Sequence, residues 1–185
     1  MAVLVNKKYG KDPYLILISC LLSLRARDIV TWPIVQDLFK IAKTPQQMLK
    51  IPKKKLEELL YPIGFYKRKA KILHDVSKEL IEKFDAQVPP NKKDLLSIKG
   101  IGPKTANLVL AEAFDQDELC VDTHVQRLAN LFGLVKTKTP EQTESELKKL
   151  LPQKYWREVN RLFVTWGQNI PTSKSSLLYL MANNP

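Results

Sequence analysis

The stretch SIKGIGPKTANLVLAEAF, residues 97–114, decides the fold of this chain. Gly100 and Gly102 permit a tight turn, and Pro103 then stands where a helix should begin, with its φ preset and no N–H to satisfy. Apolar residues on both sides of the turn have the spacing of two helices that pack against each other. The stretch therefore predicts a helical hairpin whose second helix spans 103–114.

The same turn has the features of an anion site. The amide groups at a helix N-terminus lack partners within the helix, and the positive end of the helix dipole lies there. A DNA phosphate would fit such a site without any reading of the bases. The alternative is an ordinary connection between helices, with glycine required by the turn alone.

Lys104 follows directly, in the first turn of the predicted helix. A cation is disfavoured at this end of the dipole, and the neutral amine that is thereby favoured is the form that attacks carbon. The alternative is an exposed lysine that contacts phosphate. The local sequence leaves both interpretations open.

A second feature is CVDTHVQRLANLF, residues 120–132. Asp122 or Thr123 could cap the helix that follows, and Thr123 with Gln126 forms a Thr-x-x-Gln capping box. If Thr123 is the cap, Asp122 lies outside the helix beside apolar residues, where a carboxylate needs a partner or a function. The alternative is an acid that only interacts favourably with the helix dipole.

Composition limits the class of protein. The chain has 185 residues, 44% of them hydrophobic, and a net charge of +11, which favours nucleic acid over a membrane surface as partner. No apolar run is long enough to span a membrane, and the first residues lack the apolar centre of a signal peptide. Cys20 and Cys120 stand in apolar contexts, which suits a reducing compartment and argues against a zinc or iron–sulfur site. We expect a cytoplasmic, nucleoid-associated protein.

The rest of the chain predicts an all-α fold. The apolar run at 14–24 predicts a buried central helix, and 67–84 places its apolar residues on one helical face. Other helices are expected at 29–42, from Pro45, within 88–98, and at 123–132, 140–150, 152–166 and 174–182.

Together these motifs resemble the endonuclease III family of helix–hairpin–helix DNA glycosylases. IKGIGPKTA and VDTH are similar to the family's L-P-G-V-G-x-K-T-A and V-D-T-H, with Lys104 and Asp122 at the family's separation. LLSLRARD (21–28), IGFYKRKA (63–70) and VPPNKKDLLSIKG (88–100) also match family motifs in order. The resemblance covers roughly residues 13–168.

The resemblance implies two helical lobes that flank a DNA-binding cleft. Residues 1–24 and 134–185 would form the terminal lobe. Residues 25–133 would form a six-helix-type lobe with the helix–hairpin–helix at 92–114.

The resemblance also implies a bifunctional DNA glycosylase and AP lyase that acts in base excision repair on damaged double-stranded DNA. We expect the protein to be a monomer. It would flip an oxidised pyrimidine out of the duplex. Lys104 would attack the sugar C1′ and form a Schiff base that undergoes β-elimination, while an ionised Asp122 steadies the cationic sugar. Two alternatives remain: a superfamily glycosylase for mismatched or alkylated bases, and a non-catalytic helix–hairpin–helix DNA-binding protein.

Two residues are expected to insert into the DNA. Arg25 stands where the family has a glutamine that fills the gap left by the flipped base, although it could merely grip a phosphate. Phe65 stands at the position of the family's apolar wedge. The other DNA-binding residues implied by these motifs are Ser23, Lys67, Lys99, Gly100, Gly102 and Thr105.

Of the two metal sites that the family carries, we expect this chain to keep the cation site and to lack the iron–sulfur cluster. The hairpin of the family holds a monovalent cation, Na⁺ or K⁺, through backbone carbonyls that map to Leu96, Ile98 and Ile101. Most members also end in a four-cysteine loop for a [4Fe–4S] cluster, but here Pro171 stands where the first ligand would be. We therefore expect a protein without this cluster. The residues expected to pack the terminal lobe instead are Trp156, Trp166, Leu177, Leu178 and Leu180.

Overall fold

The computed structural model describes residues 1–169, and this part of the chain contains helices and turns but no β-strand. None of its helices is long and apolar enough to cross a membrane. A short 3₁₀ turn, Gln153–Tyr155, precedes the last helix. The helices are α1 (Ala2–Tyr9), α2 (Pro13–Ser23), α3 (Asp28–Ile41), α4 (Pro45–Lys50), α5 (Lys53–Leu60), α6 (Tyr66–Phe84), α7 (Lys92–Ser97), α8 (Pro103–Phe114), α9 (Thr123–Leu131), α10 (Pro140–Leu150) and α11 (Trp156–Asn169). The predicted all-α class is confirmed.

The helix bounds agree with the sequence patterns in most places. Two helices, α1 and α5, were not expected. The helix expected at 174–182 lies outside the described residues.

The chain divides into two compact units. Unit 1 is Met1–Gln116 and holds α1 to α8, and unit 2 is Asp117–Pro185, of which 117–169 are described. The lobe boundaries implied by the family resemblance, 1–24 with 134–185 and 25–133, stay a prediction.

Unit 1 is built around α2. Every residue from Tyr14 to Leu22 is buried, and α2 packs against α1, α3, α6 and α8. Asp12 caps the helix by accepting a hydrogen bond from the Leu15 amide at 3.0 Å, and Pro13 is its first residue. A helix that is apolar all round must be surrounded by others, so the predicted central helix is confirmed.

The long helix α6 packs against α4, α5 and α2 through one apolar face. Leu73, Val76 and Leu80 on that face are fully buried, as the spacing predicts. A buried hydrogen bond of 2.8 Å joins the Tyr14 hydroxyl to the Ser77 hydroxyl, and burial raises the pKa of Tyr14. The position of α6 against α2 is therefore fixed by polar as well as apolar contacts.

In unit 2, α9 packs against α10 and α11. Trp156 packs on this core, as predicted, and its indole N–H donates to the Leu151 carbonyl at 2.9 Å. Trp166 is 42% exposed and meets the Phe132 ring edge-on at 5.7 Å, so only part of it is packed. The buried core residues are Leu119, Val121, Val125, Ala129, Leu147 and Val159. The predictions on Pro171, Leu177, Leu178 and Leu180 lie outside the described residues.

Candidate functional site

The predicted helical hairpin is present in unit 1. Helix α7 and helix α8 pack against each other across the turn at 98–102. Asn91 caps α7 by accepting from the Asp94 amide at 2.9 Å. Ile98 and Ile101 in the turn are 1% and 6% exposed, so the turn is anchored to the core on both sides of Gly100.

The two turn glycines have different surroundings. Gly100 has φ 101°, a region that L-residues rarely adopt, and a Cβ there would lie 3.2 Å from Ile72 Cγ2. Gly102 has an ordinary φ of −99°, and a Cβ there would meet nothing within 4 Å. The fold therefore requires glycine at Gly100 but not at Gly102, where the open space lets an outside group approach the backbone.

This difference predicts that alanine at Gly100 mainly lowers stability, whereas alanine at Gly102 mainly lowers DNA affinity. Gly100→Ala is expected to lower the free energy of unfolding by about 1–3 kcal/mol, because it adds backbone strain and a steric contact. Gly102→Ala should change it by less than about 1 kcal/mol. Its methyl group would fill the open space and hold a phosphate away from the backbone amide, so DNA binding should weaken about tenfold, the effect of one lost charge-assisted hydrogen bond. Denaturant unfolding and DNA titration of both variants check this. Unchanged DNA affinity of Gly102→Ala would contradict a phosphate contact at Gly102.

Lys104 is the second residue of α8, and its side chain is exposed. The N-cap residue of α8 is Gly102, which has no side chain to cap the helix. The neighbouring Thr105 is only 3% exposed, so a DNA contact of Thr105 would use its backbone amide and not its hydroxyl. A cation in this first turn lies at the unfavourable end of the dipole, as the sequence indicated.

Asp122, not Thr123, caps α9. The carboxylate oxygen Oδ1 of Asp122 accepts hydrogen bonds from the amides of His124 and Val125, each at 2.9 Å. The interpretation that placed Asp122 outside the helix, with Thr123 as the cap, is wrong, because Thr123 is already the first helical residue. An ionised carboxylate is the stronger acceptor for amides at the positive end of a helix dipole. The acid is thus held in a fixed orientation by α9.

Lys104 belongs to unit 1 and Asp122 to unit 2. That the two act in one active site stays a prediction. In residues 1–169, no group of three or more His, Cys, Asp or Glu side chains could hold a metal ion.

Arg25 and Phe65 combine exposure with unusual backbone. Their φ angles are 52° and 61°, in the left-handed region that is uncommon for residues other than glycine. Arg25 is exposed and Phe65 is 65% exposed, although a large aromatic side chain is ordinarily buried. The loop that carries Arg25 and the Pro62–Gly64 turn before Phe65 line one surface groove of about 470 Å³. The structure therefore brings the two predicted inserting segments together.

The other predicted DNA contacts lie around these segments. The Ser23 hydroxyl donates to the Cys20 carbonyl at 3.0 Å, so it also stabilises the end of α2. Lys67 and Lys99 are exposed, and the Lys67 ammonium lies 5.9 Å from the centre of the Tyr66 ring. These roles stay predictions. The sequence did not single out Lys69, a buried lysine on the first turns of α6.

The monovalent cation site predicted at the hairpin also stays a prediction. The Ile98 carbonyl accepts a hydrogen bond from the Ile101 amide at 3.1 Å, and a carbonyl oxygen has a second lone pair for a cation. The side chain of Leu96 is 41% exposed. The arrangement is compatible with a carbonyl-bound cation.

The cysteines of this chain do not fit an iron–sulfur cluster. A [4Fe–4S] cluster is held by four thiolates, and the chain has two cysteines, Cys20 in unit 1 and Cys120 in unit 2. Each is 2% exposed, and burial raises the pKa of Cys20 to about 12, which disfavours the thiolate.

Comparison with known proteins defines the class. The family of HhH-GPD superfamily base excision DNA repair proteins matches residues 18–153. Endonuclease III of Thermotoga maritima is 43% identical over 159 residues, which are 86% of this chain and 75% of that protein. Endonuclease III-like protein 1 of Mus musculus is 36% identical over 160 residues, 85% of this chain and 53% of that protein.

A solved structure gives the same result for the fold. The structure of a trapped endonuclease III–DNA covalent intermediate, an estranged-adenine complex, superposes with a TM-score of 0.83 at 27% identity. The superposition covers 93% of this chain and 84% of the endonuclease III chain in that complex. The chain belongs to the HhH-GPD superfamily of base excision DNA repair proteins and, within it, to the endonuclease III family.

Proposed function

We propose that this protein is a base excision repair DNA glycosylase with AP lyase activity that removes oxidised pyrimidines from double-stranded DNA. The observation that carries the proposal is Lys104, an exposed lysine in the first turn of α8. It follows a hairpin turn in which Gly102 is open to an approaching phosphate. The likeness of IKGIGPKTA to the motif of the endonuclease III family supports Lys104 as the nucleophilic amine.

The reaction uses the neutral amine of Lys104. The amine attacks C1′ of the flipped nucleotide, and the bond between C1′ and the base breaks with its electron pair leaving on the base, which takes up a proton. The amine then gives a proton to the ring oxygen as the sugar opens, which leaves a protonated Schiff base. Loss of a proton from C2′ expels the 3′ phosphate by β-elimination, and water releases the lysine.

Asp122 supplies the negative charge that faces the sugar during the reaction. It stabilises the cationic character of the sugar as the base departs. Because its Oδ1 is held by two amides of α9, the carboxylate needs little reorganisation during the reaction.

DNA is the partner, and the net charge of +11 supports electrostatic binding of the phosphate backbone. The protein acts as a monomer, in the cytoplasm and associated with the nucleoid. It works without an iron–sulfur cluster, a proposal supported by its two buried cysteines.

A panel of duplexes tests the substrate class. The panel contains thymine glycol, 5-hydroxyuracil, 8-oxoguanine and uracil, each placed opposite A, C, G and T in turn. A G·T mismatch is tested beside them, and an undamaged duplex is the control. We expect excision of thymine glycol and 5-hydroxyuracil, with an opposite-base preference that Arg25→Gln changes. Activity confined to purine lesions or mismatches would instead assign the protein to another glycosylase of the superfamily.

A further inference from the structure

Lys69 is a buried lysine whose partners are backbone carbonyls. It is 6% exposed, and burial lowers the pKa of its ammonium to about 8. Placing an ammonium in the interior is costly unless its N–H groups are satisfied. The ammonium donates three hydrogen bonds, of 3.3, 2.9 and 2.6 Å, to the carbonyls of Leu21, Leu22 and Leu24.

These carbonyls lie at the C-terminal end of α2, where the helix itself offers no partners. The C-terminus is also the negative end of the helix dipole, so a cation is favourable there. The remaining carbonyls of this end are also satisfied. The Ser23 hydroxyl donates to the Cys20 carbonyl, and the Ala26 amide donates to the Ser23 carbonyl at 3.1 Å.

The shortest of the three contacts fixes the peptide group that leads into Arg25. The Leu24 carbonyl and the Arg25 amide belong to one planar peptide unit, so the 2.6 Å bond from Lys69 restrains the backbone of Arg25. Glycine is the usual residue for the left-handed position that follows a helix, and Arg25 occupies it at φ 52°. Such backbone strain persists only where the surrounding structure holds it.

The same residue also restrains the Phe65 turn. The Lys69 backbone amide donates to the Phe65 carbonyl at 3.0 Å and so closes the first turn of α6 behind Phe65. Lys69 thus contacts the loop of Arg25 through its ammonium and the turn of Phe65 through its amide. Both contacts lie within unit 1.

We propose that Lys69 is a positioning residue that holds the Arg25 loop and the Phe65 turn at a fixed separation for insertion into DNA. The proposal rests on the proposed function, which gives Arg25 and Phe65 their contacts with DNA. Lys69 itself is buried and makes no contact with substrate.

Hydrogen exchange tests the restraint without DNA. Lys69→Met keeps the length of the side chain and the backbone amide that bonds to the Phe65 carbonyl, but it removes the ammonium donors to the Arg25 loop. Amide exchange is therefore expected to rise about tenfold in 23–27, and by a smaller factor in 63–66, which loses only its link to that loop. Exchange in the α7–α8 hairpin should stay as in the wild type. The matched control is Lys78→Met, the same substitution at an exposed position of α6, which should change neither segment.

Lys69→Arg separates the donor function from packing. A guanidinium offers N–H donors to the same carbonyls, so this variant should restore most of the protection that methionine removes. Exchange at the wild-type rate in both segments of Lys69→Met would overturn the proposal. An equal rise in exchange in Lys69→Met and Lys69→Arg would also overturn it.

DNA binding tests the consequence. The ratio of the Kd for undamaged duplex to that for a tetrahydrofuran abasic-site duplex measures insertion. We expect Lys69→Met to lower this ratio about tenfold without changing the Kd for undamaged DNA, and Lys69→Arg to restore it. An unchanged ratio would overturn the proposal. A wild-type ratio of one would count against the proposed function itself, whereas the exchange experiment would still decide whether Lys69 restrains both segments.

Discussion

Replacing Lys104 by alanine is expected to abolish the covalent complex that borohydride traps on abasic-site DNA. The Schiff base requires a primary amine at C1′, and alanine offers none. Strand cleavage at an abasic site should fall by at least about 10³-fold, because the residue removed is the nucleophile. The side chain of Lys104 is exposed, so the fold should be unaffected. Gel analysis of the trapped complex and single-turnover cleavage measure the two effects.

Lys93→Ala is the matched control. Lys93 is an exposed lysine of α7, in the same hairpin, and its loss removes the same charge from the same region. This variant should trap as well as the wild type. Wild-type trapping by Lys104→Ala would show that another amine forms the Schiff base. A wild-type protein that traps nothing would instead support the non-catalytic DNA-binding alternative.

Replacing Asp122 by asparagine is expected to slow base removal by about 10²–10³-fold, the cost of losing a stabilising charge in a transition state. Asparagine caps helices as well as aspartate does, so Asp122→Asn should keep the hydrogen bonds to α9 and the thermal stability. DNA affinity should not fall, because the change removes a negative charge. Single-turnover excision, thermal unfolding and DNA titration measure the three quantities.

Two further variants separate the charge of Asp122 from its capping function. Asp122→Ala should lose both the activity and about 1 kcal/mol of stability. Thr139→Ala removes the cap of α10, where the Thr139 hydroxyl accepts from the Gln142 amide, and should lose a similar stability with normal turnover. Normal turnover by Asp122→Asn would exclude the carboxylate from the mechanism.

The fold was predictable where a helix has a strong local pattern. The apolar run of α2, the single apolar face of α6 and the Gly-Pro start of α8 each identify their helix. Helices α1 and α5 were not predicted, because each has only eight residues, too few for a helical apolar face to be recognised in the sequence. Short helices are marginal alone and depend on tertiary packing, which Leu56 and Leu60 of α5 obtain by full burial.

The candidate site was predictable only as far as its motifs extend. Lys104 and Asp122 stand in recognisable stretches, but the choice between Asp122 and Thr123 as cap depended on backbone angles that neither residue dictates. The role of Lys69 was not predictable, because its ammonium contacts carbonyls more than forty positions earlier in the chain. The left-handed backbone of Arg25 depends on those same distant contacts.

The burial of both cysteines makes the chain suitable for site-specific labelling. Cys20 and Cys120 are shielded from reagents, and the raised pKa of Cys20 keeps that thiol protonated under ordinary conjugation conditions. A single cysteine introduced at exposed Tyr61, before the Phe65 turn, would then carry a maleimide dye without prior removal of the native thiols. Fluorescence from that position would follow, in real time, the approach of duplex DNA to the turn.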